Sequence, residues 1–219
     1  MGDPTATLPP SDGQSASNPA DGGVVLDAET EELAQHVADQ IESFLIALRA
    51  LARGDAPNSE AVSLLLLIVS QVLLAGARVG VQQDFLPSDE YEPDPGPDPD
   101  LDALRLRLGV LLEGIDAYSE VFDPYADPPE AVSSLVSDDL TSIASALAHG
   151  LRHHRDGRIS EALWWWQFSY VSSWGAEASA VLRALQSVIS HDRLDSDFES
   201  EQDDVALAAQ MLDTAGQPT

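Results

Sequence analysis

Residues 160–191, SEALWWWQFSYVSSWGAEASAVLRALQSVISH, place Trp164, Phe168, Val171, Gly175, Ala178, Leu182, Leu185 and Ile189 at alternating steps of four and three. That spacing holds side chains on one face of an α-helix and is the spacing of a bundle seam. At ~1.5 Å per residue such a helix spans roughly 45 Å, so it needs long partners to cover its apolar stripe. Gly175 on the seam costs about 1 kcal/mol of helix propensity against Ala, which points to a close neighbouring helix or a slight kink there.

Outward from this stretch the same spacing recurs. Val136, Leu140, Ile143, Leu147 and Leu151 predict a helix that starts between Ser133 and Ser137, runs to about Asp156 and stops at Gly157. Leu101, Leu104, Leu108, Leu111, Ile115, Tyr118 and Phe122 predict another, ended by Pro124, Pro128 and Pro129. Residues 59–79 are apolar nearly all round and predict a central helix, capped by Asn58 or Ser59. Its most apolar run, 62–77, falls short of the ~20 residues of a bilayer span, so no membrane helix is expected. Asp27 caps a first helix with Glu29, Glu31 and Glu32 in its first turn and Leu33, Val37, Ile41, Phe44, Leu48 and Leu51 as its stripe. No alternating strand pattern is evident. The expectation is an all-α, antiparallel bundle of about five long helices.

The chain divides accordingly. Residues 1–26 read as a disordered N-terminal tail without the basic and apolar regions of a secretory signal. Residues 27–192 form the bundle domain, and within it 82–100 is an acidic connector whose Pro87, Pro93, Pro95, Pro97 and Pro99 forbid helix. Residues 193–219 form an acidic C-terminal tail in which Val205–Leu212 suits a short helix.

Composition removes whole classes of chemistry. There is no Cys, hence no thiolate nucleophile, thiolate metal site or disulfide. All ten basic residues are Arg, so no lysine serves a P-loop or a Schiff base. The formal net charge of -28 disfavours direct contact with nucleic acid or anionic membranes and leaves a protein partner, including a basic one, as the natural expectation. A cytoplasmic location follows by default.

Candidate residues concentrate on the last two helices. His149 and His153 share a helix face, but no Glu-x-x-His or His-Glu-x-x-His motif accompanies them, and no metal or cofactor is expected. Arg152, His153, His154, Arg155 and Arg158 form the basic cluster; it either binds an anion or complements the negative end of its own helix. Trp164 reads as core, and Trp166, Tyr170 and Trp174 as a second layer against the bundle. Trp165 shares a face with Ser169, Ser172 and Arg183, so it either marks a contact site or lies under the connector or a tail. The serines lack a Gly-x-Ser-x-Gly elbow, and nothing singles out a general acid–base pair among 38 carboxylates. The sequence therefore leans away from an enzyme. It favours a non-enzymatic interaction or regulatory module, with a small-molecule or anion-binding bundle at Arg152, Arg155, Trp166 and Tyr170 as the alternative.

The segment Glu161-Ala162-Leu163-Trp164-Trp165-Trp166-Gln167-Phe168, with Ser173-Trp174-Gly175 and Leu182-Arg183-Ala184-Leu185, resembles the signature of an uncharacterised bacterial family, domain of unknown function 5063. The order of helices from about residue 30 to 195 is similar too. The resemblance implies a helical bundle from an actinobacterium-like source and assigns no activity.

Overall fold

Asp27 opens α1 (Ala28–Arg53) as the sequence requires: its carboxylate accepts from the Thr30 amide at 2.7 Å, and Gly54 closes the helix in the left-handed region at φ 81°. The computed structural model describes residues 26–87 and 101–193. The expectations for both tails and for most of the connector fall outside these residues.

After α1, a short turn leads into α2 (Asn58–Gly80), with Pro57 in the capping position rather than Asn58 or Ser59. Then come α3 (Asp102–Leu111), β1 (Ala117–Glu120), β2 (Val132–Leu135) and α4 (Val136–Arg155). The last helix starts as α5 (Ile159–Ser169), passes through a π-helical turn at Tyr170–Trp174 and continues helically through 175–193. Short turns make α1 and α2, and α4 and α5, antiparallel neighbours. One core joins them, built on Ile41, Leu48, Leu65, Leu140, Leu147 and Trp166. The molecule is mostly helical, as expected.

Three expectations are corrected. First, the third helix does not reach Phe122. It stops at Leu111, and Gly114 turns the chain at φ 89°. Tyr118, expected on a helical stripe, lies instead in β1, which pairs antiparallel with β2 and sets Tyr118 opposite Ser134. The four-and-three spacing past Gly114 was coincidental.

Second, α2 is not central. Leu65, Val69, Val72 and Val79 face the core, while Leu67, Leu74 and Val81 are open to solvent. Its Glu60–Gly80 segment is also long and apolar enough to cross a membrane by length and composition, although 39% of its most apolar window is buried in the fold.

Third, the seam of the last helix is not the one that starts at Trp164. The buried stripe is Leu163, Trp166, Trp174, Ala178, Val181 and Leu185, with half-buried Tyr170 completing it. From Trp166 through Tyr170 and Trp174 to Ala178 it takes three successive steps of four. A 3.6-residue helix cannot hold such steps on one face, and the π turn absorbs the surplus residue.

His36 of α1 meets the Arg78 guanidinium of α2.

The π turn has a visible cause. Tyr170 and Trp174 lie where Gly76 and Gly80 leave α2 without side chains, so both rings pack directly on its backbone. Trp166 does the same at Gly150 of α4. Large rings set into glycine notches bring the helices close together and fix their rotation about their own axes.

Candidate interaction face

The phase shift at the π turn decides which part of the tryptophan-rich helix faces water. Before the turn, the core face of α5 is Ala162, Leu163 and Trp166, all buried. Trp164 is thereby turned to the rim, where its ring stacks on Phe168 with centroids 5.7 Å apart and planes within 10°. Phe168 is 53% exposed and Val171 72%, though both were expected on the seam.

Gln167 shapes what lies beside them. Its side-chain amide donates to the Val79, Gln82 and Gln83 carbonyls at 3.1–3.3 Å, and its oxygen accepts from the Phe85 amide at 2.9 Å. The end of α2 and the segment after it are thus fastened to α5. The result is a groove of about 360 Å³, walled by Phe85, Leu86, Trp164, Phe168 and Val171, with Asp84 at its edge. Gln167→Ala is expected to free this segment. Amide hydrogen exchange at Phe85 should accelerate at least tenfold, because about 1.4 kcal/mol of lost protection is a factor of ten.

On the neighbouring α2, Leu67 is 53% exposed, Leu74 56% and Val81 80%, at steps of seven along one side. No Asp or Glu occurs in residues 61–83 or 162–176. In a chain with 38 carboxylates, these two stretches carry no acid of their own, although Asp84 lines the groove beside α5.

The candidates Arg152, His153, His154, Arg155, Trp165, Trp166, Tyr170 and Trp174 do not form one pocket. His153, Trp166 and Trp174 are buried in the core. The Trp166 indole N–H donates to the Leu147 carbonyl at 3.3 Å. Tyr170 is half-buried on the Gly76–Gly80 notch. Trp165 packs on α4: its ring stacks on His149 at 4.0 Å, and its N–H donates to the Ala146 carbonyl at 2.8 Å.

His154 is half-buried beside Trp166, and burial lowers its pKa below the ordinary histidine value. Arg155 pairs with Glu42 of α1 at 2.7 Å. Arg152 and Arg155 line a different groove of about 340 Å³ between α1 and α4, joined there by Arg49, over a floor of Leu45, Ile46, Ala148 and Leu151. The His149 and His153 rings meet edge-on at 5.2 Å, and among the described residues no three His, Asp or Glu side chains cluster to hold a metal.

A polar cluster not read from the sequence ties the hairpin to α4. Asp116 caps α4 from outside, accepting from the Ser137 amide and hydroxyl, both at 2.8 Å. Asp139 accepts from the Tyr118 hydroxyl at 2.6 Å and from Ser134 at 2.9 Å. Glu120 pairs with Arg183 at 3.0 Å, fixing the hairpin to the last helix. Burial raises the pKa of Asp139 and of Glu177, and also holds the Tyr118 hydroxyl well above its ordinary value.

Folded-state pKa values above the unfolded ones mean that Asp139 and Glu177 favour the folded state most when protonated, and that this contribution is lost as pH rises through the folded values. Melting temperature is therefore expected to rise as pH is lowered from 7 towards the raised carboxyl range. Glu177→Gln should melt higher than wild type at pH 7 and gain less on acidification. Thermal melts of the two proteins in parallel check this.

The fold and this geometry define a helical-bundle protein with a small hairpin clip and an open apolar face. The chain belongs to the family described as domain of unknown function (DUF5063), whose model matches residues 28–191. Among solved structures it is similar to protein BF1032 from Bacteroides fragilis, with a TM-score of 0.58 at 16% identity, covering 72% of this chain and 92% of that one. At that identity the likeness is one of fold. No curated protein matches.

Proposed function

We propose that the protein is a non-enzymatic interaction module that docks through the exposed apolar side chains of α2, of the segment after it and of α5. The observation that carries this reading is the exposure of Leu67, Leu74, Leu86, Phe168 and Val171 on neighbouring elements of an otherwise strongly acidic chain. Contiguous apolar surface on a folded domain is unfavourable unless something covers it. The Trp164–Phe168 groove supplies the concave part of the surface and α2 the flat part.

Affinity capture from the native host tests it, with wild type and Phe168→Glu as baits. The expected result is at least one protein recovered with wild type and lost with the variant. Identical recoveries from both baits would contradict the reading.

The convergence of Arg49 with Arg152 and Arg155 favours a second reading, in which the α1–α4 groove takes a carboxylate or phosphate attached to an apolar body. Trp166 and Tyr170 have no part in it. A soluble alkyl phosphate that raises the melting temperature of wild type but not of Arg49→Ala would support this site; equal shifts in both proteins would remove it.

A further inference from the structure

We propose that the groove walled by Phe85, Leu86, Trp164, Phe168 and Val171 seats this chain's own C-terminal segment, residues 205–212. The segment covers the docking site until a partner displaces it, a statement that rests on the interaction reading above. The segment reads Val205-Ala206-Leu207-Ala208-Ala209-Gln210-Met211-Leu212, eight uncharged residues between Asp204 and Asp213. Residues 1–25 and 88–100 hold no comparable run: their large apolar residues are Met1, Leu8, Val24 and Val25 in the first and Tyr91 in the second. At helical spacing, Val205, Leu207, Ala208, Met211 and Leu212 share one side of the segment and Gln210 takes the other.

The groove suits such a stripe. Trp164, Phe168 and Val171 follow one another on the rim of the last helix at steps of four and three, the spacing with which one helix lies along another. Phe168, Val171 and Leu86 are each more than half exposed. The polar lining is Gln167, Ser172 and Asp84, and the Gln167 amide is already committed to the carbonyls after α2 and to the Phe85 amide. One carboxylate and no cation line the groove, so an anionic ligand finds nothing to pair with, while an uncharged segment leaves no ion pair unmade. Met211 and the leucines have the flexibility and bulk to fill the spaces between aromatic rings.

Chain length permits the return. Residues 171–193 are helical, so position 193 lies roughly 33 Å from Val171 at ~1.5 Å per residue. Residues 194–204 span up to about 36–40 Å when extended, enough to lay 205–212 back over the groove. Such a tether supplies an effective concentration on the order of 1 mM, so a contact with an intrinsic Kd of about 1 mM keeps the groove occupied about half the time. Charge adds a signature. Glu199, Glu201, Asp203, Asp204 and Asp213 flank the segment, and docking brings them towards Asp84. Salt screens that repulsion while the apolar contact persists, so occupancy rises as salt is added.

The chain has no Cys, so Thr214→Cys offers a single attachment point for a nitroxide just beyond the segment. Paramagnetic broadening of amide signals in the isotope-labelled full chain then tests the proposal. The Leu86, Phe168 and Val171 signals are expected to weaken at least twofold relative to the reduced label, as a groove occupied about half the time requires. Leu106 of α3, which lines a different groove beside α4, should keep its intensity. Leu207→Glu with Met211→Glu should abolish the broadening, and so should Phe168→Glu, with helical content unchanged. Raising salt should deepen the broadening.

Equal intensities with and without the active nitroxide overturn the proposal. So does broadening as strong at Leu106 as at Val171, or broadening that survives Leu207→Glu with Met211→Glu. Broadening seen only when a nitroxide-bearing chain is mixed with a separate isotope-labelled one assigns the groove to a second copy and overturns it too. If no broadening occurs but Phe168→Glu still loses a captured protein, the self-docking falls and the interaction reading stands. If the broadening behaves as expected but wild type and Phe168→Glu recover the same proteins, the interaction reading falls and the seat of the segment stands.

Discussion

Trp166→Ala is expected to cost about 3–5 kcal/mol of stability, the range for removing a fully buried aromatic side chain without collapse of the site. Collapse is blocked at this position. The indole rests on the bare backbone of α4 at Gly150, and its N–H holds the Leu147 carbonyl. Alanine leaves a void between two helices already held close, and it deprives that carbonyl of its second partner. For a chain of this size about 4 kcal/mol corresponds to a fall in melting temperature of roughly 10 °C. Calorimetry should show it, together with a smaller loss for Trp165→Ala, whose half-buried ring can be replaced in part by water.

Gly175→Ala is the second large effect, and its sign is opposite to what helix propensity suggests. Alanine in place of glycine inside a helix normally gains about 1 kcal/mol. At Gly175 an added Cβ would overlap the Tyr170 carbonyl oxygen, a backbone atom, and crowd the Tyr170 ring at 2.9 Å. The π turn creates this crowding: the Gly175 amide bonds to the Tyr170 carbonyl five residues back. Neither atom can step aside without undoing the turn. Overpacking of this kind costs about 1–3 kcal/mol or more, so a net loss of about 2 kcal/mol is expected in chemical denaturation. Gly76→Ala should behave alike, because its Cβ would enter the space of Trp174 and Tyr170.

These glycines also show where the sequence was legible. The cap of α1, the ends of α1 and α4 and the overall helical character follow from Asp27, Gly54, Gly157 and apolar periodicity, all local signals. The rotation of the last helix was not legible from the four-and-three stripe that begins at Trp164, because that stripe assumes an uninterrupted helix. The alternative was present in the sequence as three steps of four, Trp166–Tyr170–Trp174–Ala178, beside the glycine pair Gly76 and Gly80 on another helix. Reading it requires knowing that α2 and α5 touch, which is a tertiary fact.

The hairpin was missed for a similar reason. Tyr118 and Ser134 have meaning only once Asp139 lies between them. The candidate face was half legible. The absence of acid from 61–83 and 162–176 is plain in the sequence, but it reads as core until the phase of each helix is known. Arg49 could not be grouped with Arg152 and Arg155 before α1 was placed against α4.

The claim on which both stability and function rest is that the π turn buries Trp166 and Trp174 and leaves Val171 outside. Val171→Glu tests it in one thermal melt at low protein concentration. A melting temperature within a few degrees of wild type, with full helical content, is the expected result, because the carboxylate stays in water. Loss of the folded state would show that residue 171 belongs to the core seam and that the exposed apolar groove does not exist as described.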